Sequence, residues 1–145
     1  MPRAKDLLNK SQQEQIVNAI RQAEEGTLGE IRLHLEDSTR QEPLPRAQEV
    51  FRMLKMEKTK GRTGVLIYSA VKDRKLAIIG DEGIHAVTGN DFWESERDLL
   101  IDYFSKENYA EGLVRVIGLI GEQLKQFFPA KRENANELPD DISVK

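Results

Sequence analysis

The chain has 145 residues, of which 39% are hydrophobic and 32% charged, and its formal net charge is -3. This length fits one domain with a sizeable core, and the composition is that of an ordinary soluble globular protein. The absence of cysteine excludes disulfides, thiolate zinc sites and cysteine nucleophiles. With neither a membrane-length apolar run nor an apolar leader, we expect a cytoplasmic monomer with no membrane anchor. Its mild acidity disfavours nucleic acid as a partner and favours cations.

The first third of the sequence predicts a helix followed by a strand. Ser11-Gln12-Gln13-Glu14 has the form of a capping box, apolar residues follow at helical spacing, and Gly26 is a suitable stop. Glu30–Glu36 alternates strictly between apolar and polar residues. This alternation predicts a half-exposed strand, with His34 and Glu36 on its polar face.

A second helix and two further strands are predicted next. Pro43 and Pro45 are suited to a helix start, and residues 55–62 form a polar loop. Residues 65–71 and 76–79 are apolar runs separated by a charged turn, which predicts a hairpin. The strand at 65–71 is apolar on both faces, so we expect it to be central and covered by helices on both sides.

Two more helices are predicted after the hairpin. One starts at Asp91, and the other covers about 110–128. Gly118 and Gly121 lie inside the second of these helices, where each costs about 1 kcal/mol relative to Ala. We therefore expect both glycines to mark close contact with another element. The tail after residue 129 is polar and acidic, and we expect it to be mobile apart from a contact near 138–142.

These elements predict an α/β fold, a three-layer α/β/α sandwich with a mixed sheet of Rossmann-like type. A strand, a helix and a strand in succession form a parallel crossover, and the hairpin adds an antiparallel neighbour. We divide the chain into an N-terminal lead at 1–10, an α/β/α domain at 11–129 and a C-terminal tail at 130–145.

The first candidate site is an acidic rim at the end of the third strand. Asp81 and Glu82 lie between Gly80 and Gly83, and Asp91 precedes the next helix. Calcium and magnesium prefer carboxylate and carbonyl oxygens, and glycines allow backbone carbonyls to approach. The alternative is an ordinary structural role, in which Asp91 caps its helix and the Asp81-Glu82 pair is a solvated turn.

A second candidate site pairs Asp37 with Asp73. If the first two strands are parallel, Asp37-Ser38-Thr39 and the hairpin turn lie at the same edge of the sheet. Ligands of open α/β sheets favour that edge. The alternative is that Asp73 is simply a favoured turn residue. Under this topology the two acidic groups lie at opposite ends of the sheet.

The remaining signals are weaker. The basic side chains of the 55–62 loop are suited to phosphate but are more often solvated. His85 lies near the acidic rim, where it is placed to assist a ligand, and we assign Trp93 to the core. The sequence contains no GxSxG, Walker A or GxGxxG motif, and we predict no catalytic residue from it.

Several segments together resemble the TPM domain family, whose members include thylakoid-lumen photosystem II repair proteins and many bacterial proteins. The resemblance rests on six segments: Gly29-Glu30-Ile31-Arg32, Pro43-Leu44-Pro45-Arg46-Ala47, Arg62-Thr63-Gly64-Val65-Leu66-Ile67-Tyr68, Asp73-Arg74-Lys75, Gly80-Asp81-Glu82-Gly83-Ile84 and Asp91-Phe92-Trp93. The tail Asn136-Glu137-Leu138-Pro139-Asp140-Asp141 is similar to that of a short, single-domain bacterial subgroup.

The resemblance implies an α/β/α sandwich that binds calcium or magnesium, and for some plant members a weak acid phosphatase activity. We therefore predict a module that binds a divalent cation and serves a protein partner whose identity the sequence does not give. Asp81, Glu82 and Asp91 are the first choice as ligands, with Asp37 and Asp73 as the second. The alternative function is a weak metal-dependent phosphatase acting on phosphate monoesters, in which Arg74 neutralises the ester.

Overall fold

The computed structural model describes residues 2–89, 91–130 and 142–144. Within these ranges the helices are α1 (Lys10–Glu24), α2 (Pro43–Met53), α3 (Glu82–Thr88), α4 (Glu94–Ser105) and α5 (Tyr109–Phe127). The strands are β1 (Glu30–Glu36), β2 (Gly64–Ala70), β3 (Lys75–Gly80) and β4 (Ile142–Val144). No helix in these ranges is both long and apolar enough to cross a membrane.

The strands form one mixed sheet in the order β3-β2-β1-β4. β1 is parallel to both β2 and β4, whereas β2 and β3 form the antiparallel hairpin. β2 is central, as its two apolar faces predict. β4 was not predicted as a strand, because three residues at the end of a polar tail carry little signal.

The two faces of the sheet bury separate apolar clusters, which makes the fold a three-layer α/β/α sandwich as predicted. One face of β1 and β2, including Ile31, Leu33 and Ile67, belongs to a cluster shared with α1, α4 and α5. The other face, including Leu66, belongs to a smaller cluster with Val50 of α2. Alternate residues of β2 therefore enter different cores.

β1 is not half-exposed, contrary to the prediction. His34 and Glu36 are only 3% and 4% exposed, although they lie on the polar face of the strand. Arg46 of α2, Tyr68 of β2 and the neighbouring β4 enclose this face. The alternation correctly separates the two faces, but it does not distinguish a solvated face from one covered by polar partners.

The start of α1 is capped two residues earlier than predicted. Asn9, and not Ser11, is the N-cap: its side chain accepts from the Gln12 N–H at 2.8 Å. The Gln12 side chain accepts in return from the Asn9 N–H at 2.9 Å, which completes a capping box. The predicted N-terminal lead also contributes to the main core through the buried residues Ala4, Leu7 and Leu8.

The glycines of α5 divide into two kinds. A Cβ added to Gly121 would lie 2.6 Å from the Cβ of Ala23 in α1, so the predicted close contact is confirmed there. Gly118 is exposed, and an added Cβ would meet nothing within 4 Å, so the same prediction is wrong for Gly118. Gly112, which was not predicted, packs instead against Tyr103 of α4.

Candidate functional site

The two predicted acidic groups lie at opposite ends of the sheet. Glu36 and Ala70, the last residues of β1 and β2, are register partners, so Asp37 and the hairpin turn share one edge. Gly80 pairs with Val65 near the start of β2, which places Asp81 at the other edge. A seven-residue strand rises about 20 Å, so one compact site cannot include both groups.

Asp81 serves as an ion-pair partner and a helix cap in the structure. Its carboxylate is nearly buried and accepts two hydrogen bonds from Arg62, at 2.8 Å from Nε and 2.9 Å from Nη2. The same carboxylate accepts from the Glu82 N–H at 2.7 Å and so caps α3. Both oxygens of the first-choice metal ligand are therefore engaged by a guanidinium.

A close backbone contact fixes this corner of the molecule. Arg62 adopts a left-handed φ of 56° after Gly61, and Gly83 in the first turn of α3 packs directly on that segment. A Cβ added to Gly83 would lie 2.0 Å from the Gly61 carbonyl oxygen, so only glycine fits there. The predicted glycine-flanked rim is thus a tight helix start, and the carbonyl of Gly61 faces protein.

The other two residues of the first choice are less constrained. Glu82 is highly exposed, and its Oε2 lies 3.4 Å from Arg62 Nη1. Asp91 is exposed and precedes α4, where its carbonyl accepts from the Glu94 N–H at 3.3 Å. Across the residues that the structure describes, no three acidic or histidine side chains form a group able to hold a metal ion.

The second group, Asp37 and Asp73, lies where two loops meet. We call this place the β1–β2 edge, meaning residues 37–39 and 71–74. The Asp37 carbonyl accepts from the Lys72 N–H at 2.8 Å, and Asp73 Oδ2 accepts from the Thr39 N–H at 2.8 Å. The predicted approach of these two loops is therefore confirmed.

Hydrogen bonds hold the carboxylates and the backbone of the β1–β2 edge in place. Asp37 Oδ1 accepts from the Ala4 N–H at 2.7 Å. Lys75 Nζ donates to the carbonyls of Thr39 and Gln41, at 2.9 Å each, which holds the loop after β1 in place. Within the described part of the chain, the second carboxylate oxygen of Asp37 and that of Asp73 accept no hydrogen bond.

A buried polar cluster under α2 was missed by the sequence analysis. Glu36 accepts two hydrogen bonds from Arg46, at 2.8 Å from Nε and 2.8 Å from Nη2, and a third from the Tyr68 hydroxyl. Arg46 also donates to Glu49. His34 lies beside them, with Nε2 3.7 Å from Glu36 Oε1, and its ring stacks on that of Tyr68.

Burial and hydrogen bonds shift the pKa values of Glu36, Arg46 and Tyr68. Burial by itself raises the pKa of Glu36, but the bonds from Arg46 and Tyr68 outweigh it and bring the pKa from 4.5 to about 2. The bond to Glu36 raises the pKa of Arg46, and burial together with that bond raises the pKa of Tyr68. At neutral pH Glu36 and Arg46 therefore form a charged, hydrogen-bonded pair, to which we assign a structural role.

The two histidines occupy different surroundings. His34 is buried, and its Nδ1 lies 2.9 Å from Ser143 Oγ, so it joins β1 to β4 as well as contacting Glu36. His85 is exposed on α3, beside the groove that contains Arg62 and Asp81. Trp93 is 5% exposed and belongs to the main core, as predicted.

The fold and the β1–β2 edge define an α/β/α sandwich in which parallel strands carry their acidic loops to one side. The TPM domain family model matches residues 3–123. The chain therefore belongs to the TPM domain family. No curated protein matches it.

Solved structures give the same result for the fold. The BA42 protein from the psychrophilic bacterium Bizionia argentinensis is 41% identical, with a TM-score of 0.91 and 100% of both chains covered. An N-terminal domain from P. gingivalis is 18% identical, with a TM-score of 0.72, over 88% of this chain and 83% of that one. The N-terminal domain of the cg2496 protein from Corynebacterium glutamicum is 13% identical, with a TM-score of 0.65, over 90% and 84%. The last two show similarity of fold alone.

Proposed function

We propose that this TPM domain binds a divalent cation, calcium or magnesium, at the β1–β2 edge. The observation that carries the proposal is the hydrogen bond between Asp73 and the Thr39 N–H, which holds the two acidic loops together. The resemblance to the TPM family, which implies calcium or magnesium binding among its members, supports the same ligand class. A protein partner and a cytoplasmic location remain predictions.

The chemistry of the donors favours this edge over the first choice. Hard cations need carboxylate oxygens that are not already neutralised, and Arg62 engages both oxygens of Asp81. Asp37 and Asp73 each keep one carboxylate oxygen without a hydrogen bond among the described residues. Magnesium is commonly held by one or two carboxylates and several waters, and calcium accepts a similar set at low affinity. We therefore expect binding at about millimolar concentrations.

The test is a titration of the full chain with calcium and with magnesium, in which binding is monitored by the chemical shifts of the backbone amides in NMR spectra. We expect the largest shifts at residues 37–39 and 71–74. Asp73→Asn and Asp37→Asn keep an oxygen that accepts the existing hydrogen bond, so they remove charge without breaking the loops. Each should weaken binding at least fivefold, whereas Asp98→Asn, an exposed aspartate of α4, should leave it unchanged.

The same titration decides between the two acidic groups. If Asp81→Asn abolishes binding while Asp73→Asn does not, the cation binds at the other end of the sheet. If no amide responds at millimolar metal, the chain is not a cation-binding module.

A second candidate function is weak hydrolysis of phosphate monoesters. One observation favours it: Arg74 follows Asp73 in the same turn and is exposed, so a guanidinium is available beside the proposed cation. A bound cation would supply charge stabilisation for the phosphoryl oxygens. The test is hydrolysis of p-nitrophenyl phosphate by the purified protein. Activity that stays with the protein through purification and is lost in both Asp73→Asn and Arg74→Gln would support this function. Activity that persists in both variants would exclude it.

A further inference from the structure

A cavity of about 180 Å³ lies between the hairpin and the junction of α4 with α5, next to the β1–β2 edge. Its floor consists of Val71 and Leu76, and Phe104 and Tyr109 contribute aromatic rings to its wall. These two rings are in edge-to-face contact, with centroids 5.0 Å apart, an arrangement that aromatic pairs favour. Asp37 and Asp73 do not line this cavity.

The size of the cavity sets the size of a ligand. An engineered apolar cavity of about 150 Å³ accommodates benzene. A space of 180 Å³ with mainly apolar walls therefore matches one aromatic ring or one branched aliphatic side chain. Ile101 lies at the mouth and is 45% exposed, so the apolar surface continues to solvent.

The rim of the cavity carries one positive and one negative side chain. Arg74 lies in the hairpin turn and Glu107 in the link between α4 and α5, and both are exposed. Neither forms an ion pair or a side-chain hydrogen bond within the described residues. Both adopt left-handed backbone conformations, with φ of 56° and 61°, which non-glycine residues adopt infrequently.

We propose that this cavity binds a free α-amino acid with an apolar side chain, such as leucine or phenylalanine. The side chain occupies the apolar interior, the carboxylate pairs with Arg74, and the ammonium pairs with Glu107. A zwitterion on a small apolar body matches both rim charges, whereas a simple carboxylate or amine matches one charge and is repelled by the other. The cavity shares Val71 and Arg74 with the β1–β2 edge, but neither Asp37 nor Asp73 takes part in the inference.

The test is a calorimetric and NMR titration of the full chain with phenylalanine, leucine and glycine. Phenylalanine or leucine should bind at least tenfold more tightly than glycine, which lacks the apolar side chain. 3-Phenylpropionate and 2-phenylethylamine, each with one charge removed, should both bind more weakly than phenylalanine. The amide shifts should include residues of the hairpin turn and of the α4–α5 link.

Variants of the rim and the mouth complete the test. Exposed ion pairs contribute about 0.2–1 kcal/mol, so Arg74→Gln and Glu107→Gln should each weaken phenylalanine binding by about 1.5- to 5-fold. Arg115→Gln and Glu122→Gln, exposed changes elsewhere on α5, are the matched controls and should have no effect. Ile101→Trp should block the mouth and abolish binding while the amide spectrum shows a folded chain.

Several outcomes would overturn the inference. They are equal affinity for glycine and phenylalanine, binding of 3-phenylpropionate to the unchanged chain as tight as that of phenylalanine, and undiminished binding in Ile101→Trp. Absence of binding by any of the probes at millimolar concentration would also overturn it. A parallel calcium titration of Ile101→Trp should match that of the unchanged chain, which separates this cavity from the cation site.

Discussion

Glu36 is a buried carboxylate whose charge is balanced by Arg46 and which also accepts a hydrogen bond from the Tyr68 hydroxyl. Removing one member of such a pair leaves an uncompensated buried charge, which typically costs about 3–5 kcal/mol. Because Arg46 belongs to α2 and Glu36 to β1, the pair also fixes how α2 lies on the sheet. This contact explains why a strand with a polar face is nevertheless covered.

Glu36→Gln should lower the free energy of unfolding by about 3–5 kcal/mol at pH 7, because Arg46 then loses its buried counter-charge. The folded pKa of Glu36 lies near 2, below its ordinary 4.5, so the carboxylate stabilises the fold fully above pH 4.5. That contribution is lost as the pH falls from about 4.5 towards 2. Urea denaturation between pH 7 and pH 2.5 should show the variant and the unchanged chain converging.

The control for this prediction is Glu49→Gln, which removes the exposed partner of Arg46 and leaves the buried one. It should retain most of the stability and the same pH dependence as the unchanged chain. A difference between Glu36→Gln and the unchanged chain that stays constant down to pH 2.5 would contradict the assigned pKa.

The sequence predicted where acidic residues lie in the fold more successfully than it predicted which side chains they contact. The sequence indicated that Asp81 and Glu82 lie together at a strand end, and that Asp37 and Asp73 lie at a common edge. It gave no sign that Arg62, nineteen positions before Asp81, would take both carboxylate oxygens. Local patterns describe what a strand end presents, but which distant charge meets it depends on the path of the intervening chain.

Helices and strands were predicted closely where periodicity was strong. β1, α2 and the hairpin follow their predicted positions, whereas no helix was predicted at the position of α3. Gly80 and Gly83 flank Asp81 and suggest a loop, but Asp81 also satisfies the first amide of a helix. A seven-residue helix has too few turns for its apolar spacing to be distinguished from a turn.

The two glycines of α5 provide a matched comparison within one helix. Gly118→Ala should raise the free energy of unfolding by about 1 kcal/mol, since an added methyl meets open space and improves helix propensity. Gly121→Ala should lower it by about 1–3 kcal/mol, because the methyl would overlap Ala23 and force α1 away. Thermal unfolding of both variants measures the difference. Similar shifts in the same direction would mean that α1 and α5 are not in close contact at Gly121.

The overall architecture followed from the order of elements and from the apolar character of β2. A strand, helix and strand required a parallel crossover, and the two apolar faces of β2 required a layer on each side. The fourth strand depended instead on a tail segment paired with β1 across more than a hundred residues. Such long-range pairing has no counterpart in local sequence, and most of the predicted tail lies outside the described residues.

The unequal size of the two apolar clusters has a consequence for how the native state fluctuates. α1 and α5 share the larger cluster and the close contact at Gly121, whereas α2 and Met56, which follows it, cover the smaller one. In amide hydrogen exchange, we expect α2 to lose protection at lower denaturant concentration than α5, which should exchange only on global unfolding. If the amides of α2 and α5 exchanged with the same free energy of opening, this expectation would be contradicted. Each local opening of α2 would carry Arg46 away from Glu36, so acid should speed the opening before it unfolds the rest.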